Sequence, residues 1–339
     1  VQRTRLRALI ASLAVLAAGA VALPASPAAA ADPVQIIDLG TLGGACCSAA
    51  TAVNDNGVVV GYSGAPGQTA PMRAFRWKNG VMTDIGSLGG TRTYPADVNN
   101  NGWIVGFSLL ADNVTTHAFL WRPNLGMTDL GALDGNYSSA TGVNDNGVVV
   151  GRAIVDGTTT SFRWAAGVMT ELDYPAGSMN LTFTAQAVNN SGVVAGDLGD
   201  MAARLVNGNA TTAPSPEPRG SWAEGINNAG DIAGTWWEDT DGAFVWKSDG
   251  TVVTLAKPTG AFGAYPADIN DDGDSVGSSY YTSGPTRAVY WSETGVVHRL
   301  PSLVTGAGTL AQAVNKFGVT VGTAQVSVGG DWHAVIWTH

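Results

Sequence analysis

Apolar residues in this chain come in short runs that recur at long intervals. VNDNGVVVG, a polar tetrad followed by three valines, occupies 53–61 and again 143–151, and weaker copies follow: VNNNG from Val98, VNNSG from Val188, INNAG from Ile226, INDDG from Ile269 and VNKFG from Val314. Their asparagines, Asn54, Asn99, Asn144, Asn189, Asn227, Asn270 and Asn315, are spaced by 45, 45, 45, 38, 43 and 45 residues. A period of this length belongs to propeller or solenoid arrays. The unbroken apolar run predicts a strand covered on both faces. Asn and Gly at the first and fourth positions of the tetrad predict a tight reversal before it, because a type I turn favours Asn at its start and a left-handed Gly at its end.

Two further landmarks complete the unit. One is an apolar run ending in tryptophan: RAFRW at Trp77, HAFLW at Trp121, SFRW at Trp164, AFVW at Trp246, RAVYW at Trp291 and HAVIW at Trp337, with AARL ending at Leu205 in the fourth copy. The other follows a Gly-containing turn: GVMTDIG at 80–86, GMTDLG at 126–131, GVMTELD at 167–173, then GTVVTL and GVVHRL. β-branched and aromatic runs between turn residues read as strands, four to a unit. Four antiparallel strands, seven times over, predict an all-β, seven-bladed β-propeller spanning 32–339 as one domain. The seventh unit ends after its third strand, while VQIIDLGTLGG at 34–44 matches the fourth strand of the first unit, VMTDIGSLGG at 81–90. The N-terminal strand is therefore expected to complete the last blade and remove two sheet edges.

The set DLGTLGG, A-x-x-[VI]-N-x-x-G, HAF-x-W and MTDLG resembles the HAF-repeat family of predicted extracellular bacterial proteins, named for the His-Ala-Phe found here at His117 to Phe119. The resemblance covers essentially all of 32–339. It implies a secreted repeat protein and brings with it no substrate or catalytic residue.

Composition adds a compartment. Arg3, Arg5 and Arg7 precede LIASLAVLAAGAVAL and then ASPAAAADP, which predicts a secretory signal peptide over 1–31 with cleavage near Ala30 or Ala31. The mature protein is expected to be secreted and monomeric, with no membrane span. Charged residues are 13% of the chain against about 25% on average, and 45 glycines fit many turns. Removing the three signal arginines takes the formal charge from −10 to −13, which argues against nucleic acid or anionic membrane as a partner. The only cysteines, Cys46 and Cys47, are adjacent. They are either two thiols at a variable repeat position or a vicinal disulfide, which a Cα separation of about 3.8 Å would strain.

Candidate chemistry lies where the repeat fails. Trp77, Trp121, Trp164, Trp246, Trp291 and Trp337 share one repeat position and are assigned to packing between blades. Trp103, Trp222, Trp236, Trp237 and Trp332 break the pattern. Trp236 and Trp237 stand beside Glu238, Asp239 and Asp241 in a variable connection of the fifth unit, and Trp222 with Glu224 enters the same unit. Aromatic rings flanked by carboxylates suit a sugar, whose apolar face stacks while its hydroxyls donate. These seven residues predict a non-catalytic module for an extracellular glycan or protein. The alternatives are a carbohydrate-active enzyme built on Glu224, Glu238, Asp239 or Asp241, and a purely structural surface protein. No cofactor or metal is expected: DINDDGD at Asp268–Asp274 and DVNNNG at Asp97–Gly102 open like calcium loops, but Ser279 and Ser108 stand where such a loop needs Glu. His117 and His333 share a repeat position, which argues for a strand contact over joint ligation of a metal.

Overall fold

Each NxxG tetrad closes the reversal that its sequence predicts. In the first, the Gly57 amide donates to Asn54 O at 3.0 Å, Gly57 has φ 69°, and the Asn54 amide donates to Val58 O at 3.0 Å. The glycines of the other six tetrads likewise have positive φ. A computed structural model describes residues 34–43, 46–64, 72–172, 181–214, 220–236 and 242–338; the predicted signal peptide lies outside them. Residues 33–339 form one compact unit.

The described residues hold 28 strands. In the first unit these are Cys47–Val53, Val59–Gly64, Met72–Lys78 and Val81–Asp84, paired antiparallel in chain order. The same meander recurs through the chain. Two units share an eight-stranded sheet through one parallel bridge, Met72 to Arg92, and five sheets have four strands each. In the last of these, Gln35–Asp38 pairs antiparallel with Trp332–Thr338, taking the fourth place beside Thr320–Gln325 and Thr309–Val314.

The first strand of every unit carries an irregularity at one place. Pairing slips between Ala50 and Ala52, Pro95 and Asp97, Ala140 and Gly142, Ala185 and Ala187, Ala223 and Gly225, Pro266 and Asp268, and Ala311 and Ala313. Such a bulge sets one extra residue out of the ladder. The bulge also explains the glycine that ends each GVVVG-like run: a Cβ on Gly61, Gly151 or Gly234 would collide with the carbonyl oxygen of the facing strand.

Burial occurs between units more than within them. Seven apolar clusters each join residues of two consecutive units; one packs Ala50, Val59 and Phe75 of the first against Val321, Ala334 and Ile336 of the seventh. Polar contacts repeat across the same seams. The amide of the alanine in HAF donates to a buried hydroxyl of the next unit: Ala118 to Ser138, Ala202 to Ser221, Ala288 to Thr309 and Ala334 to Ser48, at 2.8–2.9 Å. Within units, His117 pairs with Asp129 and His333 with Asp38, each at 2.9 Å, and Arg73 pairs with Asp84. The first residue of the HAF landmark and the Asp of the DLG landmark are thus two halves of one contact, and the histidines are strand contacts.

Candidate functional site

The tetrad asparagines converge on a common ring. Asn54 Nδ2 donates to Asn99 O, Asn99 to Asn144, Asn144 to Asn189, Asn189 to Asn227, Asn227 to Asn270, Asn270 to Asn315 and Asn315 back to Asn54, over 2.8–3.3 Å. Six of the seven Oδ1 atoms meanwhile accept the amides two and four residues on, as Asn144 does from Asn146 and Val148, and Asn227 Oδ1 accepts that of Asp231. All seven side chains are buried, at 3–5% exposure.

The next residue in each tetrad makes a second circle. Asp55, Asn100, Asp145, Asn190 and Asn228 each donate a backbone amide to the side-chain oxygen of the following unit, and Lys316 donates to Asp55. The circle lacks its Asp271-to-Lys316 member because lysine offers no acceptor. A cavity of about 170 Å³ inside these circles has Asp55, Asp145, Asp268, Asp271 and Lys316 as its charged lining.

The opposite ends of the first strands carry more varied chemistry. There the register pairs Ala49 with Tyr62, Tyr94 with Phe107, Ser139 with Arg152, Thr184 with Asp197, Trp222 with Thr235, and Tyr265 with Ser278. Cross-strand partners leave a sheet on the same face, so these pairs form one layer repeated from unit to unit. The Tyr62 and Tyr94 rings meet edge-on at 5.2 Å across the first seam, and Tyr94 stacks on Phe107 at 4.9 Å.

Around the fourth unit the layer becomes ionic. Arg152 Nη2 donates to Gln186 Oε1 at 2.7 Å, Gln186 Nε2 donates to Asp197 Oδ2 at 3.3 Å, and the Ala223 amide donates to Asp197 Oδ1 at 2.9 Å. Gln186 and Glu224 are bulge residues. Glu224 lies between buried Ala223 and Gly225 yet is itself exposed. Desolvation at this bulge, with the like charge of Asp197, raises its carboxyl to about 7 against the opposing pull of Arg152. Burial also raises Asp197, although its hydrogen bonds and Arg152 counteract it.

Trp236 requires a correction. It is 6% exposed and stacks on Phe244 at 4.9 Å with 7° between the planes, so it has no free face for a ligand. Its repeat position faces the core in other units as well, where Ser63, Ser108, Ala153, Leu198, Ser279 and Ala324 are all buried. Trp222 is half-buried in the aromatic layer. Trp237, Glu238, Asp239 and Asp241 lie outside the described residues. Of the repeat tryptophans, Trp246, Trp291 and Trp337 are buried and Trp77, Trp121 and Trp164 half-buried, in keeping with packing.

The Cys46 and Cys47 sulfurs are joined, each also lying near Gly64 O, at 3.4 and 3.6 Å. In the calcium-like stretch, Asp268 accepts the amides of Ile269 and Val314, Asn270 those of Asp272 and Asp274, and Asp274 that of Glu293. Those oxygens serve backbone donors. Among the described residues no group of three or more His, Cys, Asp or Glu is arranged to hold a metal, and no helix is long and apolar enough to cross a membrane.

Arg152, Gln186, Asp197, Tyr94 and Thr235 were not singled out from the sequence. The available signal was variability after an invariant glycine: Tyr62, Phe107, Arg152, Asp197, Thr235, Ser278 and Thr323 follow the glycine of the second strand in turn.

No family model and no curated protein matches the chain. Solved structures do. Streptogramin B lyase is similar at 11% identity and a TM-score of 0.60, over 90% of this chain and 97% of that one. YCF48 from Cyanidioschyzon merolae aligns at 12% and 0.56, over 90% and 98%. The extracellular domain of a putative hybrid two-component system from B. thetaiotaomicron aligns at 10% and 0.52, over 89% of this chain and 39% of that one. The fold is a β-propeller. At these identities the likeness is one of fold, and any function of this propeller must be argued from its own residues.

Proposed function

We propose that the protein is a secreted, monomeric, seven-bladed propeller of the HAF-repeat kind, closed by its N-terminal strand, and that it serves as an extracellular recognition module for a glycan. The closing strand pair, the ring of seven asparagine contacts and the apolar seam between the first and seventh units support the closed ring. The observation that carries the function is the layer at the end of the first strands away from the asparagine ring. It sets Trp222, Tyr94 and Tyr265 level with Arg152 and Asp197, one bulge from Glu224. Aromatic rings interleaved with charged and amide groups match the two surfaces of a sugar.

A glycan array probed with purified protein tests the reading. Wild type should bind at least one glycan and Trp222→Ala should lose it; a silent wild type, or an unchanged Trp222→Ala, would refute it. A second reading rests on Glu224. A carboxyl that titrates near 7 beside a second carboxylate suits a general acid in glycoside cleavage. Polysaccharide turnover by wild type, abolished in Glu224→Gln, would replace the binding module with an enzyme.

A further inference from the structure

The fourth unit departs from the repeat at one core position. In the other six, the third strand carries a tryptophan whose ring packs in the seam with the preceding unit: Trp77, Trp121, Trp164, Trp246, Trp291 and Trp337. In the fourth, Leu205 stands in that place, opposite Val194 as Trp164 is opposite Val149 and Trp246 opposite Ile232. A leucine is smaller than an indole, and a backbone frame shared with six other units does not collapse fully around it. The seam between the third and fourth units holds a cavity of about 530 Å³, lined by Leu205 and Val194 from the fourth and by Val148, Arg163, Glu171 and Leu172 from the third. That volume is in the range of small-ligand sites. The cavity lies beside the fourth NxxG turn, at the other end of the strands from the layer assigned to the glycan.

Arg163 shows what the seam lacks. Its cross-strand partner Val150 is buried in this seam, so Arg163 leaves the sheet on the same face. One seam further on, Arg204 occupies the equivalent place: its partner Ala195 is buried between the fourth and fifth units. There the guanidinium carbon of Arg204 lies 4.2 Å from the centroid of the Trp246 ring, a cation–π contact with the tryptophan of the following unit. Arg163 has Leu205 where that ring would be. It is exposed, and among the described residues its guanidinium meets no ring, carboxylate or carbonyl.

We propose that this cavity binds a small, neutral, planar aromatic molecule of indole size. The ligand takes the place of the missing tryptophan ring, with one face against Arg163 and its edge on Leu172, Val194 and Leu205. The six tryptophans of the other seams define the shape, and the Arg204 contact defines the electrostatics. An aliphatic molecule of the same volume would forgo the attraction of the guanidinium for a π face. An aromatic cation is opposed by Arg163 and an aromatic anion by Glu171, which leaves a neutral ring as the best match.

Ligand-observed NMR and calorimetry on the full chain, with indole and with cyclohexanol as the non-aromatic control, test the site. Indole should bind with a Kd of roughly 0.1–1 mM, as expected of so small a ligand, and cyclohexanol about tenfold more weakly. Leu205→Trp supplies the ring from the chain itself, so it should abolish indole binding and raise Tm by filling the cavity. Arg163→Gln, at an exposed position, should weaken indole about three- to fivefold, the scale of one cation–π contact. A wild type that binds no indole would overturn the proposal, as would cyclohexanol binding as tightly as indole. Undiminished indole binding to a folded Leu205→Trp would place the ligand elsewhere and overturn it too. Should Leu205→Trp fail to fold, Arg163→Gln decides: an unchanged indole affinity overturns the proposal.

Discussion

The asparagine ring makes a quantitative prediction for Asn144→Ala. The side chain is 3% exposed and makes three hydrogen bonds: Oδ1 accepts from Asn146 and Val148 at 3.1 and 2.9 Å, and Nδ2 donates to Asn189 O at 3.0 Å. At about 1 kcal/mol net for each, the loss starts near 3 kcal/mol. Two local facts set the range. Asn189 O keeps its bond from the Gly192 amide, and Asn146 is exposed enough for water to replace its lost acceptor, so neither group is left wholly bare. The Val148 amide is more enclosed and costs more to strand. The expected loss is therefore about 2–4 kcal/mol. At roughly 2 °C per kcal/mol for a domain of this size, Tm should fall by about 4–8 °C.

The assay is urea and thermal unfolding of three variants in parallel. Asn146→Ala removes one exposed bond, Nδ2 to Asn190 O at 2.8 Å, and should cost about 0.5 kcal/mol. Asn315→Ala removes the bond to Asn54 that spans 261 residues of sequence, along with acceptors for Phe317 and Val319. It should match Asn144→Ala. If Asn144→Ala proves no worse than Asn146→Ala, the ring contributes nothing beyond ordinary turn contacts. An Asn315→Ala markedly milder than Asn144→Ala would mean the ring is open at that seam.

Three other outcomes follow from the same structure. Ser48→Ala strands the buried Ala334 amide at the first-to-seventh seam and should destabilise by about 1–3 kcal/mol in urea unfolding, whereas a silent variant would contradict that seam. Trp236→Ala should cost about 3–5 kcal/mol by opening a cavity over Phe244, and a wild-type Tm would refute its placement in the core. Glu224 and Asp268 both titrate near 7 in the folded chain, above the ordinary carboxylate range, chiefly through desolvation. Since the folded state holds these protons more tightly, stability is greatest below about pH 4 from these groups and declines as pH rises to and through 7. Glu224→Gln should flatten the slope of Tm against pH between about 4 and 8, and a slope identical to wild type would show that Glu224 does not contribute.

Much of the architecture was legible because its causes are local. The NxxG tetrad dictates a reversal from Asn and Gly alone, valine runs dictate strands, and 34–44 matches 81–90 closely enough to identify the strand that pairs with Trp332–Thr338. The same locality misled the reading of Asn54 and its counterparts. Turn geometry accounts for the backbone and for Oδ1, but Nδ2 reaches the next unit about 45 residues away, a contact that no single turn reveals. The candidate site was less legible still. Trp236 and Trp237 drew attention as adjacent aromatics, but strand alternation places Trp236 at a position that is core in unit after unit. Glu224 was among the candidates for its sequence neighbours; what distinguishes it is a bulge that lifts it between buried Ala223 and Gly225 into reach of Asp197 from the preceding unit. In a repeat protein the invariant positions define the frame. The residues able to recognise a ligand occupy positions that the frame holds in register while their identity varies, and they become visible only when the seven units are aligned by structural layer, because a site shared between units has no continuous stretch of sequence to mark it.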